Sequence, residues 1–263
     1  MSVQYLTPQD IIDWIDEWAT MHLEHTEENA RAFAEGLSEQ MKRLDYTVPD
    51  GGTVIAYAGR LGTEGNTGIY HTVSDVTKNS KKYIFINNYA DNILNNENYR
   101  FSYAIENAVG KEYARRILGG NEVDGVRSKY SFDDILSIND LVSENFMAKN
   151  AKGDVMVLIL DNAGLDSTLN VTELEKVLSM PEVESINGID KHTLLSMDSE
   201  TRFNYLKEDS ALKLKDAQIC TTADGVEMLS FEGTEFKKRV VKCLGTIQIG
   251  NMVHGKELLH MIR

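Results

Sequence analysis

Cysteine is nearly missing from this 263-residue chain: Cys220 and Cys243 are the only two, and neither belongs to a Cys-x-x-Cys motif. That scarcity excludes a disulfide framework and fits synthesis in a reducing compartment. Proline is as rare, with three residues, and with 19 glycines this excludes collagen-like and proline-rich linker sequence. Long apolar runs are absent too, since the longest, Val155–Leu160, falls far short of the roughly 20 residues that cross a bilayer. The first apolar segment contains Asp10, Asp13, Asp16 and Glu17 and has no basic leader, so no secretory signal is expected. The expected location is cytoplasmic, or within a particle assembled inside the cell, with no membrane partner.

Basic residues are the next shortage. Lys and Arg total 27 against 41 Asp and Glu, a formal charge of -14. Phosphate-backbone binding depends on cations that neutralise phosphates, so no nucleic-acid signature is expected, and Lys237-Lys238-Arg239 with Lys242 is too short a run to make a channel. The imbalance is uneven along the chain. Residues 1–50 carry 11 acids and 3 bases, for -8, whereas residues 211–263 carry 6 acids and 8 bases, for +2. Opposed charges of this kind steer association, which points to protein partners or self-association.

What remains is a globular composition, 42% hydrophobic and 26% charged, in a chain long enough to bury a sizeable core. Leu6-Thr7-Pro8-Gln9-Asp10 reads as a helix start, with Thr7 at the N-cap, Pro8 at the first helical position and Asp10 at N3. Ile11, Trp14, Ile15 and Trp18 then share one face. The stripe resumes at Ala30, Phe33, Ala34, Leu37, Met41 and Leu44, after the polar stretch His22–Asn29. Pro49-Asp50-Gly51-Gly52 turns the chain into the strand Thr53–Ala58, followed by a loop, Gly59–Gly68, that holds four glycines. A second strand is expected at Lys82–Asn87, then a helix from about Tyr99 to Leu118 that ends at Gly119-Gly120.

Ser131-Phe132-Asp133-Asp134 resembles a cap before an apolar run. The continuous run Asp154–Leu160 suits a central strand covered on both faces. Thr172 with Glu175 reads as a capping box for a helix over Glu173–Met180 that Pro181 stops, and a further helix is expected around Thr193–Leu206. Leu212–Cys220, Val226–Phe231 and Arg239–Ile249 read as strands and hairpins. The fold expectation is therefore α+β: an N-terminal helical region (1–50) packed against a mixed sheet within an α/β core (51–207), and a β-rich C-terminal region (208–263).

Motifs for chemistry are sparse. The Gly59–Gly68 segment matches neither GxGxxG nor GxxxxGK[ST]. The loop Asp161-Asn162-Ala163-Gly164-Leu165-Asp166 fails the EF-hand pattern at its third and fifth positions. His22 and His25 can share a helical face near Glu24, Glu27 and Glu28, but they lack a His-x-x-x-His spacing, and no metal site is expected.

The one enzymatic constellation joins Arg60, at the end of a strand, to Glu182-Val183-Glu184, whose extended spacing puts both carboxylates on one side. An arginine for a pyrophosphate with a Glu-x-Glu pair is similar to the arrangement in ADP-ribosyltransferases, and Thr72-Val73-Ser74 is a partial match to their Ser-Thr-Ser stretch. That resemblance implies NAD as cofactor and catalytic roles for Arg60, Glu182 and Glu184, with Gly62 and Gly65 beside Arg60 in the cofactor loop. With no other reaction centre in the sequence, the leading expectation is a structural or interaction protein that serves as a subunit of a larger assembly and needs no cofactor. The Asn-rich, proline-poor character suits a phage or virion component; NAD-dependent ADP-ribosyl transfer is the alternative.

Overall fold

A computed structural model describes residues 5–49, 51–61, 67–68, 83–86, 99–214, 218–221 and 227–230. Two helices open the chain, α1 (Pro8–Met21) and α2 (Glu27–Met41). The capping box at α1 is complete. The Thr7 hydroxyl accepts from the Asp10 amide at 3.2 Å, and the Asp10 carboxylate accepts from the Thr7 amide at 2.7 Å, which holds that carboxyl below its usual range. Thr26 caps α2, accepting from the Asn29 amide. The Leu6 amide donates to the Arg43 carbonyl at 2.9 Å, clipping the start of α1 to the end of α2.

The central sheet uses β1 (Thr53–Ala58), β4 (Tyr83–Phe85), β9 (Gly153–Ile159), β10 (Val183–Ile186) and β11 (Ile189–Asp190), in the order β11-β10-β9-β1-β4. All neighbours run parallel except the β10–β11 hairpin, so the sheet is mixed. In chain order the strands lie 2-1-3-4-5, and the direction of progression reverses between β1 and β9. Short pairs surround the sheet: β2 (Arg60–Leu61) with β3 (Thr67–Gly68), β5 (Glu122–Val123) with β6 (Val126–Arg127), and β7 (Tyr130–Phe132) with β8 (Ile135–Leu136). The other helices are α3 (Tyr99–Val109), α4 (Lys111–Gly119), α5 (Ile138–Asn150), α6 (Leu174–Ser179, entered through a π turn at Leu169–Glu173), α7 (Lys191–Leu195) and α8 (Ser199–Leu214). A hairpin of β12 (Gln218–Thr221) and β13 (Glu227–Ser230) follows.

One continuous apolar cluster joins these layers. Ile11, Ile15, Phe33 and Leu37 of the N-terminal helices are buried in the same core as Val54, Ile55, Val155, Val157 and Ile159 of the sheet. The fold is thus mixed α/β, with N-terminal helices packed on a central mixed sheet. β10 is too short to cover the outer edge of β9, and side chains complete the ladder. Asn187 accepts from the Val157 amide and donates to its carbonyl, both at 2.8 Å, while Ser210 Oγ of α8 accepts from the Ile159 amide at 3.0 Å. These bonds spare β9 unsatisfied backbone groups and fix α8 against the sheet.

Four local expectations need correction. The helix expected to run unbroken from Tyr99 to Leu118 is two helices, because Gly110 takes φ +83° and caps α4. The Ser131–Asp134 stretch is not a helix cap. It forms the β7–β8 hairpin, turning at Asp133 (φ +33°), and the cap of α5 is Ser137, whose hydroxyl accepts from the Asp140 amide. Thr172 is not a cap either; it lies inside the π turn with its hydroxyl bonded to Asp140. The helix expected around Thr193–Leu206 is likewise two, α7 and α8, and α8 runs past residue 208. Of the expected tail strands, Arg239–Ile249 lies outside the described residues.

Candidate functional site

The carboxyl ends of β1 and β9 meet where the strand order reverses, the position at which open α/β sheets bind ligands. Gly59 follows β1 with φ +100°, and a Cβ there would stand 2.6 Å from Leu160 Cβ and 2.7 Å from Asn162 Oδ1, so only glycine fits this crossing. The loop after β9 is held from behind by Lys207 of α8, whose ammonium donates to the Asp161 carbonyl at 2.5 Å and the Ala163 carbonyl at 3.3 Å. Asp161, Asn162 and Asp166 are exposed on that loop, giving a polar rim that carries both carboxylate and amide groups.

Arg60 begins β2, immediately beyond this end of the sheet, paired to Gly68. Glu182 and Glu184 lie at the opposite end. Val183 is in register with Gly153 at the start of β9, whereas Ala58 pairs with Ile159 at its finish. At about 3.3 Å per residue the two ends are about 20 Å apart. The structure therefore does not bring Arg60 together with Glu182 and Glu184, both of which are exposed. Glu184 falls where the β10 register shifts, between Val183 and Ser185. Gly62 and Gly65 lie outside the described residues, as do Thr72-Val73-Ser74 and the basic run at Lys237–Lys242.

A second polar cluster, missed by sequence reasoning, is interior. Asp140 is 0% exposed and accepts from Ser137 Oγ at 2.5 Å, from Thr172 Oγ1 at 2.6 Å, and from the Arg127 guanidinium. Glu173, 6% exposed, is pushed up to about 7 by burial and further by the neighbouring Asp140 carboxylate, against a hydrogen bond with Ser143. Lys129 continues the cluster toward the surface, donating to the Val171 carbonyl at 3.1 Å and to Glu175 at 2.9 Å. These groups bind the β5–β6 hairpin, α5 and the π turn together. Asp140 and Glu173 are buried within this joint, and the side chains of Arg127, Lys129 and Glu175 form its partly exposed edge.

The third feature is the end of α1. Trp14 and Trp18 are partly buried against Phe33, with ring centroids 5.5 and 5.7 Å away, and Gly36 of α2 leaves the space that the Trp14 ring fills. His22 stacks on Trp18 at 3.9 Å, with its Nδ1 3.2 Å from the Trp18 carbonyl. His25 Nε2 lies 3.2 Å from the Asn107 carbonyl on α3. Both histidines thus have packing roles, and among the described residues no group of three or more His, Cys, Asp or Glu is placed to hold a metal. Beside this ordered stack Met21 is 62% exposed and Leu23 84%.

The exposed charges of the N-terminal segment are acidic, from Asp10 in the first turn of α1 to Glu28 in α2. Residues 1–30 contain no Lys or Arg, and Asp10, Asp13, Asp16, Glu17, Glu24, Glu27 and Glu28 are all exposed. Helix spacing gave no signal for the two anchors: Met21 lies three residues after Trp18 and seven after Trp14, on the stripe itself, and Leu23 lies beyond the end of α1. Among the described residues no helix is long and apolar enough to cross a membrane. No family model, curated protein or solved structure matches the chain.

Proposed function

We propose that this protein is an interaction component of a larger protein assembly and that the end of α1 is its docking surface. A phage or virion particle, the setting suggested by the Asn-rich, proline-poor sequence, is one such assembly. The supporting observation is the placement of Met21 and Leu23: two large apolar side chains held out in water by a packed, hydrogen-bonded segment, inside an acidic surface. Exposed apolar groups with a polar rim are the anatomy of a protein interface. The test is to purify the full chain from its native source at low ionic strength and determine mass by light scattering coupled to size exclusion. A stoichiometric complex that Leu23→Ser dissociates is expected. A monomer for wild type and variant alike contradicts the reading.

The reversal of strand order between β1 and β9 favours a second reading, a small polar ligand at the carboxyl end of the sheet. NAD and ATP are the probes, because Arg60 stands at this end. On this reading one of them raises the melting temperature of wild type by several degrees, and Arg60→Ala and Asn162→Ala remove the shift; no shift with either probe contradicts it.

A further inference from the structure

We infer that the end of α1 captures a cationic amphipathic helix of another protein, its apolar face seated on Met21 and Leu23 and its Lys and Arg side chains reaching the surrounding carboxylates; this rests on the interaction reading above. The two anchors are presented by fixed backbone. The His22 amide donates to the Trp18 carbonyl at 3.0 Å, and Asn29 Nδ2 donates to the Glu24 carbonyl at 2.9 Å. Together with the His22–Trp18 stack and the His25–Asn107 contact, these bonds order residues 22–25 before any partner arrives, so docking requires little further loss of chain freedom.

Charge chooses among the possible occupants. The seven carboxylates of residues 1–30 have no Lys or Arg among them. Of the cations near them, Arg31 is engaged with Asp133, Arg116 with the Ser131 carbonyl and Glu27, and Arg43 acts on Asp10 at the far end of α1, while exposed Lys111 follows Gly110, which lies against His25. A second copy docked through the same face would set two such acidic surfaces against each other, and self-complementary pairing is disfavoured by that repulsion. Nucleic acid and anionic lipid headgroups are repelled for the same reason. A purely apolar partner would cover the carboxylates without pairing them, at a desolvation cost. A helix with Leu-type residues on one face and Lys or Arg beside them satisfies both the anchors and the rim, in the helix-in-groove mode.

Trp14 and Trp18 are the chain's two tryptophans and both lie on α1, so intrinsic fluorescence reports this surface. The full chain is titrated with three synthetic peptides: a Leu/Lys amphipathic helix, its Leu/Glu counterpart, and a Lys/Ser peptide of equal charge with no apolar face. The Leu/Lys peptide is expected to shift the emission saturably, with affinity lowered at least tenfold by Leu23→Ser and its salt dependence flattened by Glu17→Gln with Glu24→Gln. Equal melting temperatures for wild type and Leu23→Ser show that the variant is folded. Equal binding of the Lys/Ser peptide, unchanged affinity in Leu23→Ser, or no binding of the Leu/Lys peptide overturns the inference. If no peptide binds but the native complex persists and Leu23→Ser dissociates it, the partner class is wrong and the interaction reading stands. A homodimer dissociated by Leu23→Ser overturns the cationic partner in favour of a second copy. Absence of any complex overturns both.

Discussion

Carboxylates gather at two places in this molecule and are treated in opposite ways. In the interior, Asp140 is enclosed by two hydroxyls and a guanidinium, and its neighbour Glu173 is pushed up to about 7 by burial, so that it keeps a proton well above the usual carboxylate range. Over α1 and the segment leading into α2, seven carboxylates are exposed, with Glu27 paired to Arg116 and Asp10 closing the capping box, and the first cation in the sequence, Arg31, is paired elsewhere. The contrast follows from solvation. A charge taken out of water must be paired, hydrogen-bonded or neutralised, whereas an exposed one costs little and remains available to a partner. The interior cluster therefore holds the fold together and the exterior one faces outward.

The comparison is broken most severely at Asp140. Asp140→Ala strands the Arg127 guanidinium and leaves the Ser137 and Thr172 hydroxyls without their acceptor, so a loss of about 3–5 kcal/mol is expected in chemical denaturation.

Glu173 gives the next largest effect, and it depends on pH. Its folded value of about 7 lies above the ordinary 4.5, so between those values the native state keeps a proton that the unfolded chain has released. Stability therefore falls as pH rises from about 4.5 to about 7 and levels off above that, by on the order of 3 kcal/mol. Glu173→Gln, which stays neutral throughout, flattens this dependence. A wild-type denaturation midpoint that rises over the same interval for a reason Glu173→Gln does not remove contradicts the assignment.

The smallest effect on stability is expected outside. Glu17→Gln and Glu24→Gln change unfolding by less than about 0.5 kcal/mol, because exposed side chains without partners contribute little to the folded state. Thermal denaturation of the two variants checks this, and it sharpens the contrast: their consequence is confined to binding.

How much of this was legible in the chain depended on how local the cause was. Thr7-Pro8-Asp10 specified the start of α1, and β-branched or continuous apolar runs specified β1 and β9, because each signal lies within the element it makes. Thr172 and Ser131 misled because each hydroxyl is taken by a competing partner, distant in sequence for Thr172 and four residues on for Ser131. Asp140 takes the Thr172 hydroxyl into a π turn, and Ser131 Oγ bonds to the Ile135 carbonyl across a hairpin. The Arg60 and Glu182–Glu184 constellation was a matter of residue type alone. Sheet direction, which no spacing of these residues encodes, places them at opposite ends. Met21 and Leu23 were not readable from spacing, since Met21 continues the stripe from Trp14 and Trp18 and Leu23 lies past the helix; at the end of α1 the Trp18 ring is instead covered by His22.

The most direct test is hydrogen–deuterium exchange of the full chain with and without the Leu/Lys amphipathic peptide. Protection concentrated over residues 12–25, lost in Leu23→Ser, is the predicted result. Protection at residues 58–61 and 161–168 with α1 unchanged would place the working surface at the carboxyl end of the sheet and contradict the account.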